Sequence, residues 1–158
     1  MGNNYYGSKP YTCTYDFKKA SVPQKEQTET TPVIQDELET NNIAYKKAKN
    51  VALKIGLLAK KLSKKQDRVV IDNYLNQIVR SSSSIMANIA EASYIYTLQK
   101  QRAHCFRISA REANETISWV HLLYNMGEID SRTCSELVNE LHDIIRILSK
   151  SIITLSHK

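Results

Sequence analysis

Glycine and proline are scarce in this sequence. Its 158 residues include four glycines and three prolines, and the last proline is Pro32. Because proline breaks helices and glycine weakens them, their scarcity beyond residue 40 favours long, uninterrupted helices. The Asn-Gly and Asp-Gly pairs that mark tight hairpins are absent, and the β-branched residues follow helical rather than alternating spacing. The sequence therefore predicts an all-α domain after residue 40.

Long apolar runs and a cysteine framework are also missing. No stretch approaches the roughly 20 apolar residues that a transmembrane helix needs, and the first residues contain no apolar segment typical of a signal peptide. The three cysteines, Cys13, Cys105 and Cys134, are odd in number and widely spaced, which argues against a disulfide framework or a zinc site. We therefore expect a cytoplasmic protein with no membrane anchor, metal or disulfide.

The first forty residues differ in composition from the rest. They contain all three prolines and most of the polar run QKEQTETTPVIQDELETNN. This run offers too little apolar surface to offset the entropy lost when a chain becomes ordered. We predict that residues 1–40 form a flexible, mostly disordered arm and that residues 41–158 form one four-helix domain.

Four amphipathic helices are predicted within that domain, at about residues 42–63, 68–96, 98–126 and 132–156. The second carries a stripe with steps of three and four, formed by Ile71, Leu75, Ile78, Ser82, Ile85 and Ile89. Small residues beside the stripe should let a neighbouring helix approach closely; they are Ser81, Ser82, Ser83, Ser84, Ala87 and Ala90. Short connections predict an antiparallel up-down-up-down four-helix bundle.

The ends of these helices also have sequence signals. Asn41 or Asn42, Asp67, Thr97 and Ser131 are predicted N-caps, because their side-chain oxygens can accept hydrogen bonds from the first turn. Gly127 is the predicted stop of the third helix, since glycine adopts the left-handed conformation that ends many helices.

Positive charge is concentrated in the helical domain. Residues 1–40 carry four lysines and six acidic residues, whereas residues 41–158 carry eighteen basic and ten acidic residues. The first predicted helix lacks acidic residues at pairing distance, so its charge should not be neutralised from within. We predict phosphate contacts to nucleic acid by the basic residues of the first helix, the turn after it and one exposed face of the third: Lys46, Lys47, Lys49, Lys54, Lys60, Lys61, Lys64, Lys65, Arg68, Lys100, Arg102, Arg107 and Arg111. A solvated, solubilising surface is the alternative.

Two segments resemble a known family. They are QIVRSSSSIMANIAEA at residues 77–92 and ISAREANETISWVHLLYNMGEI at residues 108–129. With the final amphipathic helix, they resemble the bacterial four-helix-bundle proteins named for open reading frames within 23S rRNA intervening sequences, which are related to the Avd accessory proteins of diversity-generating retroelements. The resemblance covers about residues 42–156, with Ala92 where the family usually has glycine. It implies a non-enzymatic homopentamer that binds RNA or DNA, or a nucleic-acid enzyme such as a reverse transcriptase.

Six residues occupy the motif positions of this family: Arg80, Asn88, Glu91, Glu112, Glu115 and Trp119. We interpret them as an interhelical polar network that fixes bundle register, because the Glu-x-x-His pairs of di-metal bundles and the known catalytic motifs are absent. We expect no catalytic residue, metal ligand or cofactor. Trp119 is interpreted as a core or subunit-interface residue rather than a platform for base stacking.

Two functions remain open from the sequence. In the first, the protein is an oligomeric module that binds structured RNA, either an rRNA insertion or the RNA of a reverse transcriptase partner. In the second, it is a scaffold that binds only protein, itself included, and its charge serves solubility. Salt dependence should separate them, because phosphate contacts weaken steeply as salt rises and apolar contacts do not.

Overall fold

Four helices make up the described part of the chain. The computed structural model describes residues 41–64, 69–95 and 97–156, so the predicted arm at residues 1–40, the predicted cap Asp67 and the basic residues Lys65 and Arg68 lie outside the described residues. The helices are α1 (Ile43–Leu62), α2 (Val69–Tyr94), α3 (Gln99–Asn125) and α4 (Ser131–Ser156). The all-α prediction is confirmed, and each observed boundary lies within two residues of the predicted one.

The helices form an antiparallel bundle. Each packs against the next along the chain, and α1 also packs against α4, which closes the arrangement. Because short connections reverse the chain, α1 and α3 begin at the end where α2 and α4 finish. A hydrogen bond of 2.9 Å from the Asn42 side-chain amide to the Ser93 hydroxyl joins the start of α1 to the end of α2. The predicted four-helix bundle is confirmed.

Aliphatic side chains from all four helices form the hydrophobic core. All six members of the predicted α2 stripe are buried, including Ile78, Ile85 and Ile89. The largest fully buried side chains elsewhere include Ile55 of α1 and Leu141 of α4. Fully burying an aliphatic side chain of this size contributes about 1.5–3 kcal/mol, so this core is the main source of stability.

Small polar side chains line the interface between α2 and α3. Ser81, Ser109 and Thr116 are fully buried, and the Ser109 hydroxyl donates to the Ile85 carbonyl oxygen across the interface at 3.1 Å. Because each of these three hydroxyls has a hydrogen-bond partner, α2 and α3 can pack closely at these positions. Only part of the predicted small face is used in this way, since Ser83 is exposed.

Two of the predicted caps are confirmed. The Asn42 side-chain oxygen accepts a hydrogen bond of 3.0 Å from the Tyr45 backbone N–H, as an N-cap should. Gly127 has φ +73°, and its N–H donates to the Tyr124 carbonyl oxygen at 2.9 Å. Only glycine adopts this conformation without steric cost, which explains why α3 ends here.

The other two predicted caps that fall on described residues are each wrong by one residue. Leu98 occupies the N-cap position of α3, because the first helical bond runs from the Arg102 N–H to the Leu98 carbonyl oxygen, and no side chain caps it. The α4 cap is Asp130 rather than Ser131, since the carboxylate accepts a bond of 2.6 Å from the Thr133 N–H. That bond lowers the pKa of Asp130.

Over residues 41–64, 69–95 and 97–156, none of the helices combines the length and apolarity required to cross a bilayer.

Candidate nucleic-acid interface

One exposed face of α3 carries a line of positively charged and imidazole side chains. Lys100, His104, Arg107 and Arg111 are all exposed and follow one another in steps of four, three and four, which places them on the same face of the helix. We call these four residues the α3 basic stripe. At 1.5 Å of rise per residue it is about 16 Å long. None of the four forms an ion pair with another residue that the structure describes.

Arg102 does not belong to this face, which corrects part of the sequence prediction. Two residues along a helix correspond to a rotation of about 200°, so Arg102 lies on the opposite side of α3 from Lys100. Its side chain is only partly exposed and lines a pocket against α1 and α4. His104 lies in the stripe instead. It follows Lys100 by four residues, a helical step that the sequence shows, but it was not among the predicted site residues.

The lysines of α1 are partly neutralised by α4. The Lys47 ammonium lies 3.1 Å from the Asp143 carboxylate, and Lys54 pairs with Glu140. As predicted, no acidic residue of α1 itself neutralises this charge; the acidic partners of these two lysines come from another helix. The Lys47 hydrogen bond and charge lower the pKa of Asp143, and Arg146 adds to the effect.

The remaining predicted residues of α1 are spread along the helix. Lys46 is exposed near its start, whereas Lys60, Lys61 and Lys64 are exposed at its end. Fourteen residues separate Lys46 from Lys60, or about 21 Å. Lys49 is partly buried and has interactions of its own. The predicted nucleic-acid surface is therefore divided, since the last lysines of α1 lie at the opposite end of the bundle from the start of the α3 basic stripe.

Four of the six motif residues meet between α2 and α3. The Arg80 guanidinium lies 2.5 Å from the Glu115 carboxylate and 3.7 Å from that of Glu112. The Trp119 ring N–H donates to Glu115 at 3.2 Å, and the ring stacks on Tyr74 with centroids 5.8 Å apart. Because Arg80 is 55% exposed, this network lies at the surface and joins the two helices there.

The other two motif residues lie apart from that network. The Asn88 side chain donates to the Ser84 carbonyl oxygen on its own helix at 2.8 Å. Glu91 is exposed and lies beside the buried thiol of Cys105, whose pKa is raised by burial first and by the Glu91 charge second. No group of three His, Cys, Asp or Glu side chains suited to a metal ion occurs among the described residues.

Together these features define a class: an antiparallel four-helix bundle with a basic outer face. The sequence matches the family described as 23S rRNA-intervening sequence protein over residues 40–150, more than half of the chain, and the protein belongs to this family. A crystal structure of a protein with unknown function from the S23 ribosomal protein family, from Bacteroides thetaiotaomicron, is 30% identical with a TM-score of 0.63. The match covers 70% of this chain and 98% of that one. No curated protein matches the sequence.

Proposed function

We propose that this protein is a non-enzymatic, cytoplasmic RNA-binding bundle that contacts phosphates rather than base edges. The observation that carries the proposal is the α3 basic stripe: exposed side chains of Lys100, Arg107 and Arg111 without an ion pair to any described residue. The family name supports structured RNA as the partner, with an rRNA insertion as the first candidate. An RNA used by a reverse transcriptase is the alternative that the sequence resemblance implies.

Phosphate contact follows from the chemistry of this face. Arginine and lysine neutralise phosphates and release condensed counterions, which favours binding without reading sequence. Asn114 and Ser118 continue the same face with uncharged, exposed side chains, and the carboxylate of Glu115, four residues after Arg111, is paired with Arg80. Double-stranded RNA is recognised mostly through its shape and its backbone, for which a straight basic helix is suited.

The test is fluorescence anisotropy of nuclease-treated protein with a structured RNA and a length-matched duplex DNA, titrated over salt. The native protein should bind RNA with affinity that falls steeply as salt rises. The variant Lys100→Gln/Arg107→Gln/Arg111→Gln should bind at least about tenfold more weakly at low salt, because three phosphate contacts are lost.

A matched control changes net charge by the same amount elsewhere. Ser135, Asn139 and Ser149 are exposed on α4, and replacing all three by glutamate lowers the net charge by three, as the stripe variant does. Binding should fall much less in this control. Equal losses in the two variants would mean that only total charge matters, and an unchanged stripe variant would contradict the proposal.

A second function is favoured by the outer face of α1. Ile43, Leu53 and Leu57 are 65%, 60% and 60% exposed and lie within one side of the helix. We infer that this face, on which the exposed Lys46 and Asn50 lie between the three apolar side chains, mediates protein assembly, and the homo-oligomer implied by the family resemblance is its favoured form. An oligomer would repeat the α3 basic stripe and raise affinity for a long polyanion.

Size-exclusion chromatography with light scattering tests the assembly. Leu53→Glu/Leu57→Glu should reduce the oligomer to smaller species, because burying two charges in an apolar interface is costly. Leu98→Glu is the control, since Leu98 is 59% exposed but lies outside α1. A monomeric native protein would contradict assembly through this face.

A further inference from the structure

A pocket of about 450 Å³ lies at the end of the bundle where α1 begins. Three elements form its walls: the start of α1, the start of α3 and the last turns of α4. Two cationic side chains, Arg102 and Lys150, line it, and none of its described lining residues is acidic. The other polar side chains of the lining are Asn41, Asn42, Ser151 and Thr154.

One hydrogen-bond donor of Arg102 has no acceptor among the described residues of this pocket. Its Nε atom is withdrawn from solvent and has no hydrogen-bond partner among the residues that the structure describes. Within residues 41–64, 69–95 and 97–156 the guanidinium forms no ion pair either, although Arg132 and Arg146 each pair with an acidic side chain. Because a buried donor without an acceptor is costly, the pocket is incomplete without a group that accepts from Nε.

The surrounding donors favour an anion as that group. Lys150 has no ion pair among the described residues and shares the pocket with Arg102. Ile43 and Ala44 also line it, and as the first residues of α1 their N–H groups lack partners within the helix. The helix dipole gives this end a partial positive charge, as in other anion sites at helix starts.

The pocket hydroxyls are consistent with this assignment. Those of Ser151 and Thr154 donate to the carbonyl oxygens of Ile147 and Lys150, both at 3.0 Å. Their protons are therefore already committed, and the remaining donors of the pocket belong to the cationic side chains, the Asn41 side-chain amide and backbone N–H groups. Such a set matches an oxyanion with several acceptor oxygens.

We propose that this pocket binds a phosphate group, which accepts a hydrogen bond from Arg102 Nε and forms an ion pair with Lys150. Arginine is suited to this role, because its planar fork can donate to two phosphate oxygens at once. Inorganic phosphate and the 5′-terminal phosphate of an RNA share this chemistry. Only the second source rests on the function proposed above.

Isothermal titration calorimetry with inorganic phosphate at constant ionic strength tests the site. The native protein should bind with a saturable 1:1 isotherm, and Arg102→Gln should bind at least tenfold more weakly. Arg102→Lys should also bind more weakly, because it keeps the charge but lacks the Nε donor. Arg132→Gln is the matched control, since it removes an exposed guanidinium at the other end of the bundle and should bind as the native protein does.

Circular dichroism establishes that each variant is folded before titration. No phosphate binding by the native protein, or equal binding by folded Arg102→Gln, would overturn the proposal. Binding of similar strength in native, Arg102→Gln and Arg132→Gln proteins would show general attraction to a basic surface and would overturn it as well.

The source of the phosphate is separated by two RNA oligonucleotides of one sequence, with a 5′-phosphate or a 5′-hydroxyl group. A preference for the 5′-phosphate that disappears in Arg102→Gln supports an RNA end in the pocket. Equal binding of both RNAs, with inorganic phosphate lost in Arg102→Gln, supports a free phosphate. A protein that binds phosphate but no RNA would retain this site while contradicting the RNA-binding function.

Discussion

The hydroxyl oxygens of Ser81 and Thr116 lie 2.9 Å apart in the buried interface between α2 and α3. Both side chains are fully buried. Ser81 in turn lies 3.3 Å from the Ile78 carbonyl oxygen, so the pair continues into the backbone of α2. The distance between two packed helices depends on the size of the side chains at their contact, and the side chains at this contact are small and buried.

Replacing Ser81 by leucine should therefore destabilise the bundle. Leucine replaces the hydroxyl by a methine with two methyl groups, which would enter a packed interface and remove one of the two hydrogen-bond partners of Thr116, at a cost of about 1–3 kcal/mol. Urea denaturation followed by circular dichroism measures the change. Ser83→Leu is the control, because Ser83 is exposed on the same helix and should change stability by less than about 0.5 kcal/mol. Equal effects would show that the interface is not tightly packed.

Trp119 is the single tryptophan, so its fluorescence reports on the surface network. Trp119→Ala should cost less than the roughly 3–5 kcal/mol expected of a fully buried tryptophan, because the ring is only partly buried against Tyr74. Glu115→Gln keeps an oxygen that can accept from the indole but ends the ion pair with Arg80. We expect a loss of only about 0–1 kcal/mol, because Arg80 is largely exposed.

The matched change is Glu115→Ala, which removes the acceptor of the indole N–H as well. The emission maximum of Trp119 should move in this variant and stay near its native position in Glu115→Gln. The same emission maximum in all three proteins would contradict the hydrogen bond between Trp119 and Glu115.

The ion pair between Lys47 and Asp143 should make stability depend on pH. The pKa of Asp143 is lower in the folded protein than in the unfolded chain, where it is near 3.9. The carboxylate therefore stabilises the fold above that value, and the contribution is lost as the pH falls through the lower, folded pKa. Asp143→Asn should be less stable than the native protein at pH 7, and the difference should vanish in strong acid.

Denaturation of both proteins at a series of pH values measures this difference. A second comparison, between Lys47→Gln and Lys47→Gln/Asp143→Asn, measures the effect of the Asp143 substitution when its ion-pair partner is absent. The effect of Asp143→Asn should shrink when Lys47 is absent, leaving the part that Arg146 contributes. An unchanged effect would mean that Lys47 does not stabilise the carboxylate.

The fold could be predicted from the sequence because the signals that specify its helices are local. The spacing of Ile78, Ile85 and Ile89 predicts both the α2 helix and its buried face, and Gly127 predicts where α3 ends. Helix starts were harder to place where two capping residues are adjacent, as Asp130 and Ser131 are. The choice between them depends on which side chain reaches the Thr133 N–H, and that is decided by chain geometry rather than by composition.

The candidate site was harder to predict from the sequence because its electrostatics depend on distant parts of the chain. Lys47 and Lys54 have no acidic neighbour on α1, yet Asp143 and Glu140, some ninety residues later, pair with them after folding. The pocket around Arg102 likewise requires α1 and α4 to meet beside α3. Local spacing places a charged residue on a face of its own helix, but it does not reveal what the next helix places opposite.

The two described cysteines should be unreactive in the folded protein. Cys105 and Cys134 are 3% and 6% exposed. Burial raises the pKa of both thiols, which lowers the fraction of thiolate that attacks an alkylating reagent. At pH 8, iodoacetamide should modify each at least about tenfold more slowly in the native protein than in urea, as measured by mass spectrometry of their peptides.

Glu91 distinguishes the two thiols. Its carboxylate contributes to the raised pKa of Cys105 but is not among the causes for Cys134, whose pKa is raised by burial alone. Glu91→Gln removes the negative charge that opposes a thiolate at Cys105, so this thiol should react faster in the folded variant. Cys134 serves as the internal control, because its rate should not change. Equal acceleration of both cysteines would indicate that the substitution loosens the whole bundle, and no acceleration would show that burial alone governs Cys105.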